Sequence, residues 1–351
     1  MTIRLTWKRV MSAGLLLAGA GLLFAWSGLM QVSASSGHWR VTDWFLHWAM
    51  RNSVRTYAAV QAPRDVTTDA GLVSAAGHFR QACQVCHGAP GVRPSPVMQA
   101  ATPSAPDLAR TADEWSDREL FWIIRHGVKF TAMPAWPAAD RNDEVRRMVA
   151  FVRLLPRMTA AQYRTLTQVD EETAVADVRP GLLSTCATCH GADGRGRGQP
   201  DIPVIAGQKP GYLLAALRDY ADGSRSGAVM QAAAAALTIR EMKALADHYA
   251  ALPGLSEKAL SDRSLPGTGI ASRQLPACLS CHAPGKAAPI LTGQKPEYVA
   301  ARLRQWQGEP TIIDARKSSA TMAVIARRIP TEEIDGLSST FRAAGDAPTA
   351  R

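Results

Sequence analysis

The stretch CQVCHG, Cys83–Gly88, has the pattern Cys-x-x-Cys-His, which recurs as CATCHG from Cys186 and as CLSCHA from Cys278. The three copies use all six cysteines of the 351-residue chain, so none remains for a disulfide framework. The pattern is the attachment signature of c-type haem. Its two thiols bond to the porphyrin edge, and the histidine that follows lies under the iron as the proximal ligand.

A zinc knuckle or a dithiol redox site is the alternative interpretation of a single copy. A zinc site needs a second pair of ligands for every motif, and the sequence has no further cysteine to supply one. Three copies therefore favour three covalently bound haem c groups. The attachment residues are Cys83, Cys86, Cys186, Cys189, Cys278 and Cys281, and the proximal ligands are His87, His190 and His282.

A sixth ligand for each iron is expected downstream of each motif, and methionine is the usual choice besides histidine. Met133, Met230 and Met322 share one position, because an amphipathic pattern begins twelve residues after each of them. Each pattern has the i, i+3, i+4, i+7 spacing of one helix face. The three patterns are Val145, Met148, Val149 and Val152; Met242, Leu245, Ala246 and Tyr249; and Ile334, Leu337, Ser338 and Phe341. This common offset selects the three methionines as axial ligands.

Other side chains fit the role of axial ligand less well. Met98, Met148 and Met242 break the common offset or lie on the apolar helix face. His126, in IIRHGVKF, is the rival ligand for the first haem, but only Met133 keeps the offset.

The chain is organised as a repeat with a period of roughly ninety to a hundred residues, with one haem domain to each period. PVIAGQKPGYLLAALRDY from Pro203 aligns without a gap with PILTGQKPEYVAARLRQW from Pro289. We expect haem domains at residues 67–160, 170–255 and 256–347, after an N-terminal anchor or signal segment at 1–36 and a Trp-rich segment at 37–66.

We also expect a proline carbonyl to accept a hydrogen bond from the ring N–H of each proximal histidine. Such a bond fixes the tautomer and the orientation of a ligating imidazole. The pairs are His87 with Pro106, His190 with Pro203, and His282 with Pro289. The alternative is that these prolines only shape loops.

Helix start and stop signals predict an all-α fold. Ser116 with Glu119, and Thr238 with Glu241, have the spacing of a capping box. No sustained alternation of apolar and polar residues predicts a sheet. Pro276 is expected to interrupt any helix that leads into the third motif.

Together these residues resemble class I cytochromes c, with a Cys-x-x-Cys-His motif early in each domain, a late methionine and a closing helix. Residues 170–347 resemble the tandem di-haem cytochromes of the c4 type, through CATCHGADGRG, AGQKPGYL and LPACLSCHAP. The first domain resembles single-haem domains of membrane-anchored cytochrome subunits, through CQVCHGAPG, PDL and RHGVKFTAMPAW. The resemblance implies three tandem class I domains. The third domain departs from it by lacking the DGRG of the second.

The amino terminus predicts the location. Val10–Met30 has 21 residues and no charge, and a helix of that length spans about 30 Å, enough to cross a bilayer. Arg4, Lys8 and Arg9 precede it, so the positive-inside rule leaves the haem domains outside the cytoplasm. The alternative is a signal peptide cleaved after VSA, before Ser35, although signal cores are usually shorter. We expect a retained anchor in the bacterial inner membrane, with the haem domains in the periplasm.

The apolar segment is followed by three tryptophans, Trp39, Trp44 and Trp48, with Arg40 and Arg51 close to them. Tryptophan favours the membrane interface, and arginine favours anionic headgroups. A helix that begins in this segment would lie along the membrane or pack on the first haem domain, and the sequence leaves both options open.

The net charge of +10 is unevenly distributed. Residues 1–66 carry a net +5, residues 256–351 a net +4, and residues 170–255 a net −2. Because much of the excess is close to the membrane, the charge does not indicate a nucleic-acid partner. The basic third domain and the acidic second suggest separate docking faces for redox partners of opposite charge. The alternative is a solvated surface without a dedicated partner.

His/Met ligation would fill all six coordination positions, so that each iron only gains and loses an electron. The sequence therefore predicts an electron carrier rather than an enzyme. Its donor would be a quinol-oxidising complex or a dehydrogenase, and its acceptor a terminal oxidase or another redox protein. One alternative is a cytochrome subunit bound to a periplasmic dehydrogenase. Another is a haem enzyme of the peroxidase type, which would require a five-coordinate iron.

Overall fold

The computed structural model describes residues 6–66, 68, 71–168, 175–256, 265–283, 285–308 and 320–342. Within those residues the protein is helical and has no β-strand, and its only bridges are the isolated pairs Ala89 with Val92 and Ile270 with Leu275. The predicted all-α class is confirmed. We call residues 71–168, 175–256 and 265–342 the first, second and third units.

An apolar helix begins the described chain. Helix α1 (Trp7–Trp26) has 20 residues, a mean hydropathy of 1.5 and no buried residue. It begins before the predicted span and ends earlier than Met30. At 1.5 Å per residue it is about 30 Å long, so its length and composition allow it to cross a bilayer. Helix α2 (Arg40–Gln61) follows it.

The first unit packs short helices around the first motif. Its core includes Phe79 and Phe151, whose rings lie 5.4 Å apart. The predicted capping box of Ser116 and Glu119 is present, and the predicted apolar face that begins at Val145 is buried. The helices are α3 (Leu72–His78), α4 (Gln84–His87), α5 (Pro96–Gln99), α6 (Leu108–Thr111), α7 (Asp117–His126), α8 (Asn142–Leu154) and α9 (Ala160–Thr167), with a π-helical turn at Phe79–Cys83 and 3-10 turns at Ala112–Glu114 and Leu155–Arg157.

Helix α2 packs on the first unit with one half and leaves its other half exposed, so it combines the two positions that the sequence left open. Its C-terminal half packs on the first unit, where Val54 and Ala58 are buried and Gln61 accepts a hydrogen bond from Trp122 at 2.8 Å. Its N-terminal half leaves Trp44 and Trp48 more than half exposed. The aromatic half is therefore available to a membrane surface while the other half is fixed to the first unit.

The second unit carries its motif within one continuous helix. The predicted capping box of Thr238 and Glu241 starts the last helix, and the four predicted apolar residues of that helix are buried. The helices are α10 (Leu182–His190), α11 (Pro210–Ala221), α12 (Ala228–Ala235) and α13 (Ile239–Ala251), with a 3-10 turn at Gly196–Gly198.

The third unit differs at its start, as the position of Pro276 predicts. The motif helix has only four residues and begins after this proline, whereas α10 runs for nine residues. Ile334, Leu337 and Phe341 of the predicted closing face are buried, although Phe341 lies just beyond the last helix. The helices are α14 (Leu265–Thr268), α15 (Leu279–His282), α16 (Pro296–Gln307), α17 (Ala320–Ala326) and α18 (Ile334–Ser339), with 3-10 turns at Ala271–Arg273 and Thr331–Glu333.

The second and third units are joined by reciprocal hydrogen bonds, in which a glutamine side chain of each unit binds the backbone of the other. Gln208 donates to the carbonyl of Ile290 at 3.1 Å and accepts from its N–H at 2.9 Å. Gln294 forms the same pair with Val204, at 3.0 and 2.9 Å. Because these residues occupy equivalent positions in the two aligned stretches, each unit uses the same patch, as in a two-fold symmetric dimer.

The first and second units also share a buried interface. Helix α3 of the first unit lies against α10 and α12, and Glu144 of α8 accepts a hydrogen bond from the first residue of α12. Ser74 donates to Asp201 at 2.6 Å, and Arg147 lies 3.4 Å from the same carboxylate. Ala228 of the second unit belongs to the buried cluster of the first unit, so the two cores are continuous.

Candidate functional site

The three motifs present their cysteines on helical turns. Cys83 ends the π-helical turn and Cys86 lies in α4, while the second pair lies within α10. All six thiols are free, and all are half-buried except Cys281, which is exposed. Burial raises the pKa of Cys83 to about 12 and that of Cys186 to about 11. In the absence of a bound group, these two thiols are therefore neutral.

Two of the three predicted histidine–proline bonds are present. The Nδ1 of His87 lies 2.9 Å from the carbonyl of Pro106, and that of His282 lies 2.8 Å from the carbonyl of Pro289. A carbonyl is only an acceptor, so each Nδ1 carries the proton and donates it. The Nε2 lone pair then points away from the bond and is free to bind a metal.

The second motif does not form this bond with correct geometry. The carbonyl of Pro203 acts on His190 in the same direction as in the other pairs, by raising the pKa of His190. Even so, no hydrogen-bond partner for Nδ1 of His190 lies among the described residues. The prediction for this pair is therefore not met by a direct hydrogen bond.

All three proximal histidines are neutral imidazoles. Burial lowers the pKa of His190 to about 4, and the ammonium of Lys295 lowers it further. Burial likewise lowers the pKa values of His87 and His282, against the opposing effect of their proline carbonyls. Neutral imidazole is the form that binds a metal ion. Each motif thus combines two free thiols with a neutral, half-buried imidazole, which fits covalent haem attachment.

The proposed axial methionines lie in the units that sequence analysis assigned to them. Met133 follows α7 in a tight loop, Met230 is in α12 and Met322 is in α17, and all three are half-buried. In the third unit, Met322 and Cys278 pack against the same buried cluster. Their coordination of iron remains a prediction.

The rival ligand His126 is the last residue of α7. It is exposed, and its ring lies 5.0 Å from that of Trp122, which faces helix α2. Burial and the neighbouring Arg125 lower the pKa of His126.

Sequence analysis missed a lysine that each unit contributes to its neighbour. The ammonium of Lys295 donates to carbonyls in the loop between His190 and Pro203, at 2.7 Å to Gln199 and 2.9 Å to Ile202. Lys209 does the same in the loop between His282 and Pro289. Its bonds are 2.6 Å to Lys286, 3.1 Å to Ala288 and 3.4 Å to Ala283. The identical Gly-Gln-Lys-Pro turns were the available signal, but a sequence repeat alone does not indicate that its side chains cross between units.

Family models match two parts of the chain. One, described as cytochrome c oxidase, cbb3-type, subunit III, matches residues 71–152. Another, described as cytochrome c, matches residues 182–253. These ranges include the first two motifs.

Characterised proteins share part of the chain. A thiosulfate dehydrogenase electron acceptor of Stutzerimonas stutzeri strain A1501 is 34% identical over 181 residues, which cover 47% of this chain and 81% of that protein. Cytochrome c4 of Pseudomonas aeruginosa is 29% identical over 167 residues, 44% of this chain and 82% of that protein. Among solved structures, cytochrome c4 of Acidithiobacillus ferrooxidans is 26% identical, with a TM-score of 0.36 over 45% of this chain and 97% of that chain.

Proposed function

We propose that this chain, which belongs to the cytochrome c family and is an electron carrier, holds three haems and is tethered to the outer face of the bacterial inner membrane. The observation that carries the proposal is the shared chemistry of the three motifs. Each offers two free thiols and a neutral imidazole, and two of the imidazoles are oriented by a proline carbonyl.

Haem c, when bound, supplies reversible one-electron oxidation and reduction of iron. The six cysteines would hold the haems covalently, and each histidine would bind an iron through Nε2. Met133, Met230 and Met322 would supply the second protein ligand of each iron. A thioether ligand raises the reduction potential and leaves no open position for a substrate.

The tether is supported by helix α1 and by the exposed aromatic half of α2. Trp39, Trp44, Phe45 and Trp48 are each at least half exposed and begin 13 residues after the end of α1. Exposed tryptophans beside an apolar helix are typical of the membrane–water interface. Because α2 is also fixed to α7, the first unit would be held close to the membrane surface.

We propose a periplasmic dehydrogenase as the electron donor and a membrane-bound terminal oxidase as the acceptor. The Stutzerimonas relative is named as an electron acceptor of thiosulfate dehydrogenase. By extension, we propose that the electron donor of the present chain is a dehydrogenase that oxidises a sulfur compound. The first unit, which matches the oxidase-subunit family model, would face the oxidase.

The proposal is tested with purified holoprotein in the ferric state. Thiosulfate and a catalytic amount of thiosulfate dehydrogenase should reduce all three haems, whereas thiosulfate alone should not. Reduction only by a quinol-oxidising complex would replace the proposed donor. Constant co-purification with a dehydrogenase would make the chain a permanent subunit instead. Catalytic turnover of peroxide, with a five-coordinate ferric iron, would contradict the carrier.

A further inference from the structure

The backbone of the first unit lies directly on a haem-attachment cysteine of the second. A Cβ atom added to Gly77 in α3 would lie 2.7 Å from Sγ of Cys189. The carbonyl of Val73, one helical turn earlier, is 4.0 Å from the same sulfur. Glycine in a helix interior costs about 1 kcal/mol relative to alanine, so its presence here indicates a close approach.

A single carboxylate connects the segments that carry Met133 and Met230 in the same two units. Glu144 of α8 is only 7% exposed. Its Oε2 accepts from Nε1 of Trp136 at 3.2 Å and from the N–H of Ala228 at 2.9 Å. Trp136 lies three residues after Met133, and Ala228 lies two residues before Met230.

The surroundings of Glu144 balance its charge. Arg141 lies 3.0 Å from its Oε1 and also donates to the carbonyl of Ser226, at 3.4 Å. Ser226 in turn donates to Asp140 of the first unit. A buried carboxylate is tolerated only when it is paired and hydrogen-bonded in this way. These contacts from the first unit therefore fix the segment that precedes Met230 in the second unit.

We propose that this interface is an electron junction, in which Gly77 and Glu144 hold Cys189 and the start of the Met230 helix of the second unit against the first unit. The inference rests on the proposed function, because it presumes haem at the first two motifs. Gly77 and Glu144 are positioning residues. Gly77 lies against Cys189, and Glu144 binds Trp136 and Ala228 near the two methionines, so neither residue would contact the metal.

The geometry makes the path between the two attachment sites short. Six residues separate Gly77 from Cys83, and a helix of that length rises by about 9 Å. Protein atoms in contact fill the remaining gap between Gly77 and Cys189. The step moves one electron, so that one iron is oxidised while the other is reduced. No bond forms or breaks, and no proton needs to move.

The test compares Gly77→Leu with the matched control Gly211→Ala, since Gly211 is also helical and has nothing within 4 Å of an added Cβ. Holoproteins are partly reduced by pulse radiolysis, and the concentration-independent redistribution of electrons is followed optically. The phase that involves the first unit is the one missing from Cys83→Ala/Cys86→Ala. Gly77→Leu should slow this phase roughly tenfold, because small displacements at a reacting junction have large effects on rate. Gly211→Ala should leave it unchanged.

A second variant addresses the methionine side and guards against a misfolded Gly77→Leu. Glu144→Ala should also slow this phase and shift the potential of the second haem, whereas Glu144→Gln, which keeps an acceptor for Ala228, should restore much of both. A wild-type rate in both Gly77→Leu and Glu144→Ala, with three haems attached, would overturn the junction alone. Fewer than three haems in the wild type would instead overturn the proposed function.

Discussion

At the residue scale, the chemistry depends on imidazole rings that are neutral and held by backbone carbonyls. His87 and His282 each donate Nδ1–H to a proline, at 2.9 and 2.8 Å. The donor role leaves Nε2 as the only ligand atom of each ring. The sequence predicted these pairs because each proline stands at a recurrent position. The failure at His190 was not predictable, because the sequence around Pro203 closely repeats the sequence around Pro289, where the bond does form.

The axial methionines give the first prediction. Met133→Ala should remove the weak far-red band of one ferric His/Met haem, because the thioether is the ligand that produces it. Met98→Ala is the control, since Met98 is 37% exposed and lies outside the common offset. Absorption spectroscopy of the ferric proteins measures the difference. Loss of the band in Met98→Ala, or its full retention in Met133→Ala, would show that the first ligand is assigned incorrectly.

The second prediction concerns the charge that the third unit places beside His190. Lys295→Met should lower the reduction potential of the second haem, because a nearby positive charge disfavours the oxidised iron. Unit charges about 10 Å apart interact by about 0.4 kcal/mol in water and about 1.7 kcal/mol at an effective dielectric constant near 20, which corresponds to roughly 20–70 mV.

A redox titration measures this shift, and Lys243→Met is its control. Lys243 pairs with Asp247 on the exposed face of α13, at 2.7 Å. Equal shifts in the two variants would point to a general charge effect. A rise in potential in Lys295→Met would contradict the assigned role of this lysine.

At the scale of the elements, local sequence signals predicted the helices well. They did not predict the contacts between units. Both capping boxes and the buried face of α8 follow from residues close together in sequence. The docking of α2 on α7 depends on pairs about sixty residues apart, such as Gln61 with Trp122. Glutamine, glycine and glutamate have many roles, so nothing in their spacing indicated that Gln208, Gly77 or Glu144 would cross an interface.

The third prediction tests the interface between the second and third units. Gln294→Ala removes the acceptor of the Val204 N–H and the donor to the Val204 carbonyl. The hydrogen bond lost by the Val204 N–H is worth about 1 kcal/mol, so amide exchange at Val204 should accelerate by roughly fivefold. Hydrogen exchange followed by mass spectrometry measures this rate.

Gln162→Ala is the matched control for that measurement. Gln162 belongs to the capping box of α9 in the first unit, so its replacement should affect only that helix. If amide exchange at Val204 were unchanged in Gln294→Ala, the reciprocal glutamine hydrogen bonds would not be what holds the two units together.

At the scale of the whole molecule, three units are joined by two different interfaces. The second and third meet through a symmetric exchange of glutamine and lysine, which follows from their close sequence repeat. The first meets the second through an asymmetric contact around Cys189 and Ala228. With the three haems that we propose, this order of units would offer a continuous route for electrons. The number and order of the motifs were readable from the sequence, whereas the contacts that connect them were not.

The haem count is measured by mass spectrometry of the intact, purified protein after denaturation. Thioether bonds survive denaturation, so the mass should equal that of the polypeptide plus three haems. Cys278→Ala/Cys281→Ala should lose one of the three and keep the other two. A wild-type mass with two haems or fewer, or with none, would contradict a tri-haem electron carrier.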